Sequence, residues 1–310
     1  MIFMGIGYGK VILFGEHFVV YGKPAIAASI ENKTIAKIKP YKKGGILCNY
    51  KNRWKNKKLL EDDPETKWLK GIVIRLLDSL KITKTNFELY IESDLPVGIG
   101  LGSSAALSVA IVRAIGEYFK LGLNENKVSE KAFKAEQIFH GNPSGIDNTV
   151  ATFGGLIWFK KNFGIRKLTL RKPLYVVIVD TPRKGSTKDL VENVAKFKEA
   201  NEELFSAYLD EIDALSREAE IALSKNDLVK LGELMNRNQD MLKDIGVSNQ
   251  KLDRLCKLAL ESGALGAKLT GAGGGGCMFA LADSPKVQKK IAKALKKEGR
   301  QVILTKIGVQ

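Results

Sequence analysis

Three glycines alternate at positions 98, 100 and 102 within the run Pro96-Val97-Gly98-Ile99-Gly100-Leu101-Gly102-Ser103-Ser104-Ala105-Ala106. Each offers a backbone amide with no Cβ in front of it, so a ligand can approach closely. Ser103 and Ser104 follow at the start of an apolar segment, where hydroxyls suit both a helix cap and a hard cation such as Mg²⁺. The chemistry this suggests is phosphate binding, because a helix N-terminus carries unpaired N–H groups and roughly half a positive charge. Two common phosphate motifs do not fit: a Walker loop ends in Gly-Lys-Ser/Thr, and the dinucleotide fingerprint is G-x-G-x-x-G.

Other residues could do chemistry. Lys10 stands at the edge of the apolar run Lys10–Phe14, and Glu16-His17 follow it closely; such groups are expensive to bury without a purpose. The plainer arrangement also stands, with Lys10 reaching solvent along its stem, Glu16 paired to it and His17 satisfied in a turn. Glu136 lies four residues after Ala132 and three before Phe139, at the edge of a helical stripe of Val128, Ala132, Ala135 and Phe139, one turn before His140. Facing inward it would need a cation; facing outward it would sit among lysines. Asp147, in the turn-rich stretch His140-Gly141-Asn142-Pro143-Ser144-Gly145-Ile146-Asp147-Asn148, reads on its own as a cap. Gly273, Gly274, Gly275 and Gly276 are consecutive, which costs folding entropy and is hard to justify by packing alone.

Positioning these groups requires particular elements. Phe87–Glu92 alternates like a strand with one buried face, and Ser104–Tyr118 reads as a helix apolar on most faces. Lys10–Phe14 and Phe18–Pro24 look like two strands around a tight Gly-Glu-His turn. Residues 25–40 and 45–54 suggest further strands, Lys51–Lys58 a basic loop and Lys67–Leu80 an amphipathic helix. Ser129–His140 is expected as a helix, with Ser129 as its cap and Gly141 as its stop. Leu156–Phe159 and Leu174–Asp180 read as strands, and amphipathic helices fill most of 188–262. The run Gly266–Cys277 reads as a second glycine loop leading into a strand, Met278–Ala282. A lysine-rich helix, 285–298, and a strand, Gln301–Ile307, follow. The order β-α-β-α-β after residue 170 suggests a separate domain, giving expected limits of 1–169 and 170–310.

Composition narrows the classes. With 310 residues, 45 % hydrophobic and 27 % charged, the chain has enough apolar material for one large or two ordinary cores. No apolar run approaches the roughly 18 residues of a membrane span, and the N-terminus lacks signal-peptide character, so a cytoplasmic protein is expected. Three dispersed cysteines and two histidines make a structural zinc site an unsuitable reading. The net charge of +16 would suit nucleic acid, an anionic membrane or a phosphorylated ligand. The lysines are densest at Lys42–Lys58 and Lys286–Lys297, without stacking aromatics, so neither nucleic acid nor membrane is the expected partner. The sequence is compatible with a homodimer and does not fix it.

The motifs carry a family resemblance. Residues 96–106 resemble the second motif of the GHMP kinases, the family of galacto-, homoserine, mevalonate and phosphomevalonate kinases. Lys10-Val-Ile-Leu-Phe-Gly-Glu16-His17-x-Val-Val-Tyr-Gly22 is similar to the first motif of the mevalonate kinase branch, with Tyr8 before Gly9-Lys10 where the family usually has proline. Glu136-x-x-x-His140 running on to Asp147-Asn148 resembles the segment that carries the metal-binding Glu and the catalytic Asp of that branch. Lys268-Leu-Thr-Gly-Ala-Gly-Gly-Gly-Gly-Cys277 resembles the third motif, which closes over the nucleotide phosphates.

The resemblance implies an α+β, two-domain GHMP kinase fold: a mixed α/β N-terminal domain with the glycine-rich phosphate loop and a ferredoxin-like C-terminal domain. It implies ATP- and Mg²⁺-dependent phosphorylation of mevalonate at its primary hydroxyl, a step of isoprenoid biosynthesis. Asp147 would accept the hydroxyl proton, and Lys10 beside it would keep that carboxylate ionised and lower the pKa of the alcohol. Pro96, Gly98, Gly100, Gly102, Ser103, Ser104 and Ala105 would hold the nucleotide, together with Gly273 and Gly274. Ser104 and Glu136 would hold Mg²⁺, and Glu16, His17 and Thr187 would line the acceptor side. The alternative is a phosphomevalonate or homoserine kinase of the same family, and Arg183 and Lys184 would suit a phosphorylated acceptor. A related decarboxylase lacks the His-Gly-Asn-Pro-Ser-Gly run. A nucleic-acid-binding module would explain the charge, but not Glu136, Asp147 and two glycine loops together.

Overall fold

The computed structural model describes the chain except residues 43–44, 54–56, 60–63, 84, 141–144, 162, 182–186, 299–300 and 309–310, and except the side chains of 57–59, 64–66, 68 and 138–140. From the N-terminus run β1 (Phe3–Phe14), a 3-10 turn (Phe18–Tyr21), β2 (Ala25–Pro40), β3 (Ile46–Asn52), β4 (Lys57–Leu59) and α1 (Pro64–Ser79). Next come β5 (Phe87–Ser93), α2 (Ser103–Tyr118), α3 (Glu125–His140), α4 (Ile146–Phe153), β6 (Leu156–Lys160) and β7 (Gly164–Leu168). The remainder is β8 (Leu174–Thr181), α5 (Thr187–Ala200), α6 (Glu202–Lys225), α7 (Leu228–Asp244), α8 (Gln250–Glu261), β9 (Gly266–Thr270), β10 (Gly276–Ala282), α9 (Pro285–Lys296) and β11 (Val302–Ile307). Among the described residues no helix is long and apolar enough to cross a membrane.

The chain forms two compact units that interleave in sequence. The first comprises Met1–Lys10, Asn32–Val97 and Gly102–Phe153; the second comprises Val11–Glu31, Gly98–Leu101 and Gly154–Gln310.

In the first unit β5 lies between β3, its parallel neighbour, and the second half of β2, which is antiparallel to it. Ile38, Phe87, Leu89 and Ile91 point into a core shared with Leu69, Val73 and Leu77 of α1 and Val109, Val112 and Ile115 of α2. Helix α2 is buried from Ala105 to Gly116 apart from Arg113, as its nearly uniform apolar sequence requires. Strand β1 lies directly on it. A Cβ at Gly5 would stand 2.1 Å from the Ala110 carbonyl oxygen, and one at Gly7 2.0 Å from that of Ala106, so only glycine permits the approach.

Several local expectations change. The cap residue of α2 is Gly102, at φ 70°, with no side-chain cap bond, so the paired serines do not cap the helix. Helix α3 begins at Glu125, where the Asn124 side chain accepts from the Lys127 amide at 3.0 Å. Ser129 is therefore inside α3, and its oxygens accept two bonds from the Asn148 side chain. Phe18–Tyr21 is a 3-10 turn rather than a strand, and β1 pairs with β2 instead. Lys57–Leu59 is a strand paired with β3, not part of a basic loop.

The second unit carries the strand order β11-β8-β10-β9 with every neighbour antiparallel. With α5–α8 between β8 and β9, a tight β9–β10 hairpin, and α9 before β11, this is the ferredoxin-like arrangement. Gly266–Thr270, expected as part of the glycine loop, is a fully buried strand antiparallel to β10. In the same unit β2 starts antiparallel to β6, and β6 pairs with β7, a strand the sequence did not suggest.

Candidate active site

In the first unit β1 brings Lys10 to the start of α2. Its Nζ lies 3.1 Å from Asp147 Oδ1, with the lysine side chain 4 % exposed and the aspartate 39 %. Gly102 completes this corner: a Cβ there would come within 2.9 Å of Lys10 Cγ and 3.9 Å of Asp147 Oδ2. Asp147 sits in the first turn of the short helix α4, which Asn148 ties to α3 through its bonds to Ser129. A nearly buried lysine thus stands beside a solvent-reachable carboxylate, a pair that can offer a proton acceptor and a fixed positive charge at one point.

Glu136 is buried, 3 % exposed, which decides between the two orientations its sequence position left open. It accepts a hydrogen bond from Ser104 Oγ at 3.2 Å and a longer one from Ser108 Oγ at 3.4 Å. Burial, and then the charge of Asp147, push its carboxyl up to about 7 against the pull of the two hydroxyls. A buried carboxylate flanked by two hydroxyls is an oxygen-rich donor set suited to a hard cation. Ser108, one turn beyond Ser104 on α2, carried no recognisable signal in the sequence.

In the second unit the turn after β1 docks on β9 and the glycine loop that follows. The Ile12 amide donates to Thr270 Oγ1 at 2.7 Å, His17 Nε2 donates to the Ala272 carbonyl at 2.9 Å, and Lys268 Nζ is bonded to Glu16. Burial lowers the His17 pKa against the opposing pull of its bond to Ala272. Gly98–Leu101 packs on the same loop, as a Cβ at Gly276 would be 3.3 Å from the Ile99 carbonyl oxygen. Nothing in the sequence marks Lys268, inside the third motif, as the partner of Glu16.

The structure thus assembles Lys10, Gly102, Ser104, Glu136 and Asp147 in one unit. It assembles Glu16, His17, Gly98, Gly100, Gly273 and Gly274 in the other. Gly98, Gly100 and Gly102 all have positive φ, at 81°, 88° and 70°. Pro96 is buried just before them, Ser103 is half-buried and Ala105 is buried on α2. Gly273 is forced by contact, since a Cβ would meet the Val247 carbonyl oxygen at 2.1 Å. The Gly274 amide donates to that same carbonyl at 2.8 Å, so Gly274 offers close approach rather than a donor. Thr187 opens α5 and is exposed. Gly141–Ser144, Arg183 and Lys184, and the side chain of His140, lie outside the described residues. No group of three or more His, Cys, Asp or Glu side chains converges among the described residues.

Known proteins match this arrangement. The family model for the GHMP kinases N terminal domain matches residues 68–155, and that for GHMP kinases C terminal matches 219–301. The mevalonate kinase of Pyrococcus horikoshii is 39 % identical over 319 aligned positions, covering 96 % of this chain and 93 % of the relative. The crystal structure of L. major mevalonate kinase in complex with R-mevalonate superposes with a TM-score of 0.87 at 35 % identity, covering 98 % of this chain and 95 % of that one. The Methanococcus jannaschii mevalonate kinase structure gives a TM-score of 0.84 at 30 % identity over 99 % and 98 % of the two chains. With both family domains in order and identity at this level over almost its whole length, the chain belongs to the GHMP kinases, within the mevalonate kinase family.

Proposed function

We propose that the chain transfers the γ-phosphoryl group of ATP to the primary hydroxyl of (R)-mevalonate, giving 5-phosphomevalonate. The observation that carries this reading is the Lys10–Asp147 pair set against Gly102 at the start of α2. It supplies a base, a cation and a phosphate-binding helix end within one corner. Asp147 accepts the proton of the attacking hydroxyl, and Lys10, 3.1 Å from it, orients that carboxylate and places positive charge beside the oxygen that loses the proton. The glycine loop, with Ser103 and Ala105 opening α2 and Pro96 before it, receives the phosphates through backbone amides and the helix dipole. Gly273 and Gly274 let backbone approach the nucleotide closely, and the Glu16–His17 turn and Thr187 belong to the acceptor side.

The donor set suits magnesium. Glu136 is a buried carboxylate whose proton affinity is raised in the absence of a cation, with the Ser104 hydroxyl 3.2 Å away. Ser104 and Glu136 would hold Mg²⁺, which would supply charge neutralisation for the transferring phosphoryl group. Functional halves at 1–169 and 170–310, and a cytoplasmic location where both small-molecule substrates are dissolved, belong to the same reading. The test is steady-state ADP release with mevalonate as the varied substrate: saturable, mevalonate-dependent release is expected. Release that is insensitive to mevalonate would overturn the acceptor assignment.

A further inference from the structure

The most deeply buried charges in the described structure lie outside the transfer corner. Lys268 and Glu16 are bonded side chain to side chain, both at 0 % exposure. Lys268 Nζ also donates to the Leu269 carbonyl at 2.8 Å and lies 5.6 Å from the centre of the Phe279 ring. Burial pushes the Lys268 ammonium down, with Glu16 the main group opposing that shift. Apolar side chains of similar volume often stabilise such a position as well as an ion pair does, so stability alone is a poor reason for the pair. Orientation is the better one.

The residue it orients is the next in the chain. His17 has φ 62°, an uncommon region for a residue with a Cβ, and one that persists only where surrounding contacts over-determine it. Contacts on both sides do so. Glu16 is anchored to Lys268, and His17 Nε2–H is committed to the Ala272 carbonyl at 2.9 Å, which fixes the tautomer and makes Nδ1 the accepting nitrogen of the ring. With Thr270 holding the Ile12 amide, β9 and the glycine loop grip this turn at three points.

We propose that Lys268 is a positioning residue: through Glu16 it locks His17 in its left-handed turn as a single tautomer, making the acceptor turn one body with the third-motif glycine loop. Glu16 is then the anchor of the turn and not itself a contact to the acceptor. This rests on the reading that the turn lines the acceptor side.

The experiment compares the parent chain with Lys268→Met, Lys268→Arg and the double variant Glu16→Gln/Lys268→Met, using thermal midpoints, imidazole ¹⁵N spectra and initial rates. The chain has only two histidines, and a His17→Gln sample assigns the spectrum. Lys268→Met takes the ammonium away from a buried carboxylate and is expected to lose stability. The double variant removes both charges and is expected to recover it. The double variant should nevertheless show mixed His17 tautomers, and an acceptor KM raised about tenfold, within the roughly 10²-fold that a 1 Å misplacement costs, with kcat little changed. A double variant with the parent's tautomer and acceptor KM would overturn the proposal and leave the pair a packing feature. If the parent does not phosphorylate mevalonate, the acceptor reading falls while the imidazole spectrum still decides whether Lys268 locks the turn. Should neither neutral variant fold, Lys268→Arg, which keeps the charge but not the ammonium geometry, carries the same two readouts.

Discussion

Replacing Asp147 by Asn removes the carboxylate with almost no change of shape, and the structure sets the size of both consequences. The 3.1 Å separation from Lys10 corresponds to about 5 kcal/mol at an effective dielectric of about 20. That is an upper figure, because the aspartate side chain is 39 % exposed and water screens it. The Asn oxygen keeps a dipole against Lys10, so the expected loss of stability is about 1–2 kcal/mol. The kinetic loss is larger: a positioned general base contributes about 10²–10⁴ in rate, or about 3–5 kcal/mol of activation free energy. The charge removed is negative, so nucleotide affinity should be unchanged or tighter. Measured by ADP release, kcat should fall at least about a hundredfold, with the thermal midpoint lowered slightly and ATP affinity by calorimetry maintained. A kcat within about tenfold of the parent in a folded, ATP-binding variant would refute the assignment of Asp147 as the base.

Three other outcomes follow from the same geometry. Ser104→Ala takes away the hydroxyl on Glu136 and should raise the Mg²⁺ concentration for half-maximal rate about tenfold; an unaltered titration would argue against a cation at that hydroxyl. Gly7→Ala puts a Cβ 2.0 Å from the Ala106 carbonyl oxygen, so β1 or α2 must move, and urea unfolding should show a loss of about 1–3 kcal/mol; an unchanged midpoint would mean the β1–α2 contact is looser than described. Burial pushes the Cys256 thiol up to about 12, leaving roughly one thousandth as thiolate at pH 9, and Cys48 and Cys277 are buried too. Iodoacetamide at pH 9 should therefore leave the native chain unlabelled and modify all three cysteines after denaturation, as read by intact mass; rapid single labelling of the native chain would contradict this burial.

Much of the site was legible because its chemistry is concentrated in short contiguous segments. A glycine alternation after a strand and before a helix marks an unusual backbone locally, and Gly98, Gly100 and Gly102 do take positive φ. Glu136 was ambiguous for a physical reason: helical spacing put it at the margin of the buried stripe, and only the packing of α3 on α2 turned it inward to Ser104 and Ser108. The Lys268–Glu16 pair was not legible, since its partners are 252 residues apart and Lys268 sat in what looked like a glycine loop. The start of α3 is ambiguous in the sequence because Ser129 is a good cap by type, while Asn124 takes that role and Ser129 serves Asn148. Gly5 and Gly7 carry no signal in the sequence, although their lack of a Cβ is what lets β1 lie on α2 and deliver Lys10 to Asp147.

The most direct test of the central claim is mass spectrometry and ³¹P NMR of the products after the chain is incubated with MgATP and (R)-mevalonate, with phosphomevalonate and homoserine in parallel samples. The account predicts one phosphate added to mevalonate at the C5 hydroxyl and the other two acceptors unchanged. Phosphorylation of phosphomevalonate or homoserine with mevalonate untouched would contradict it.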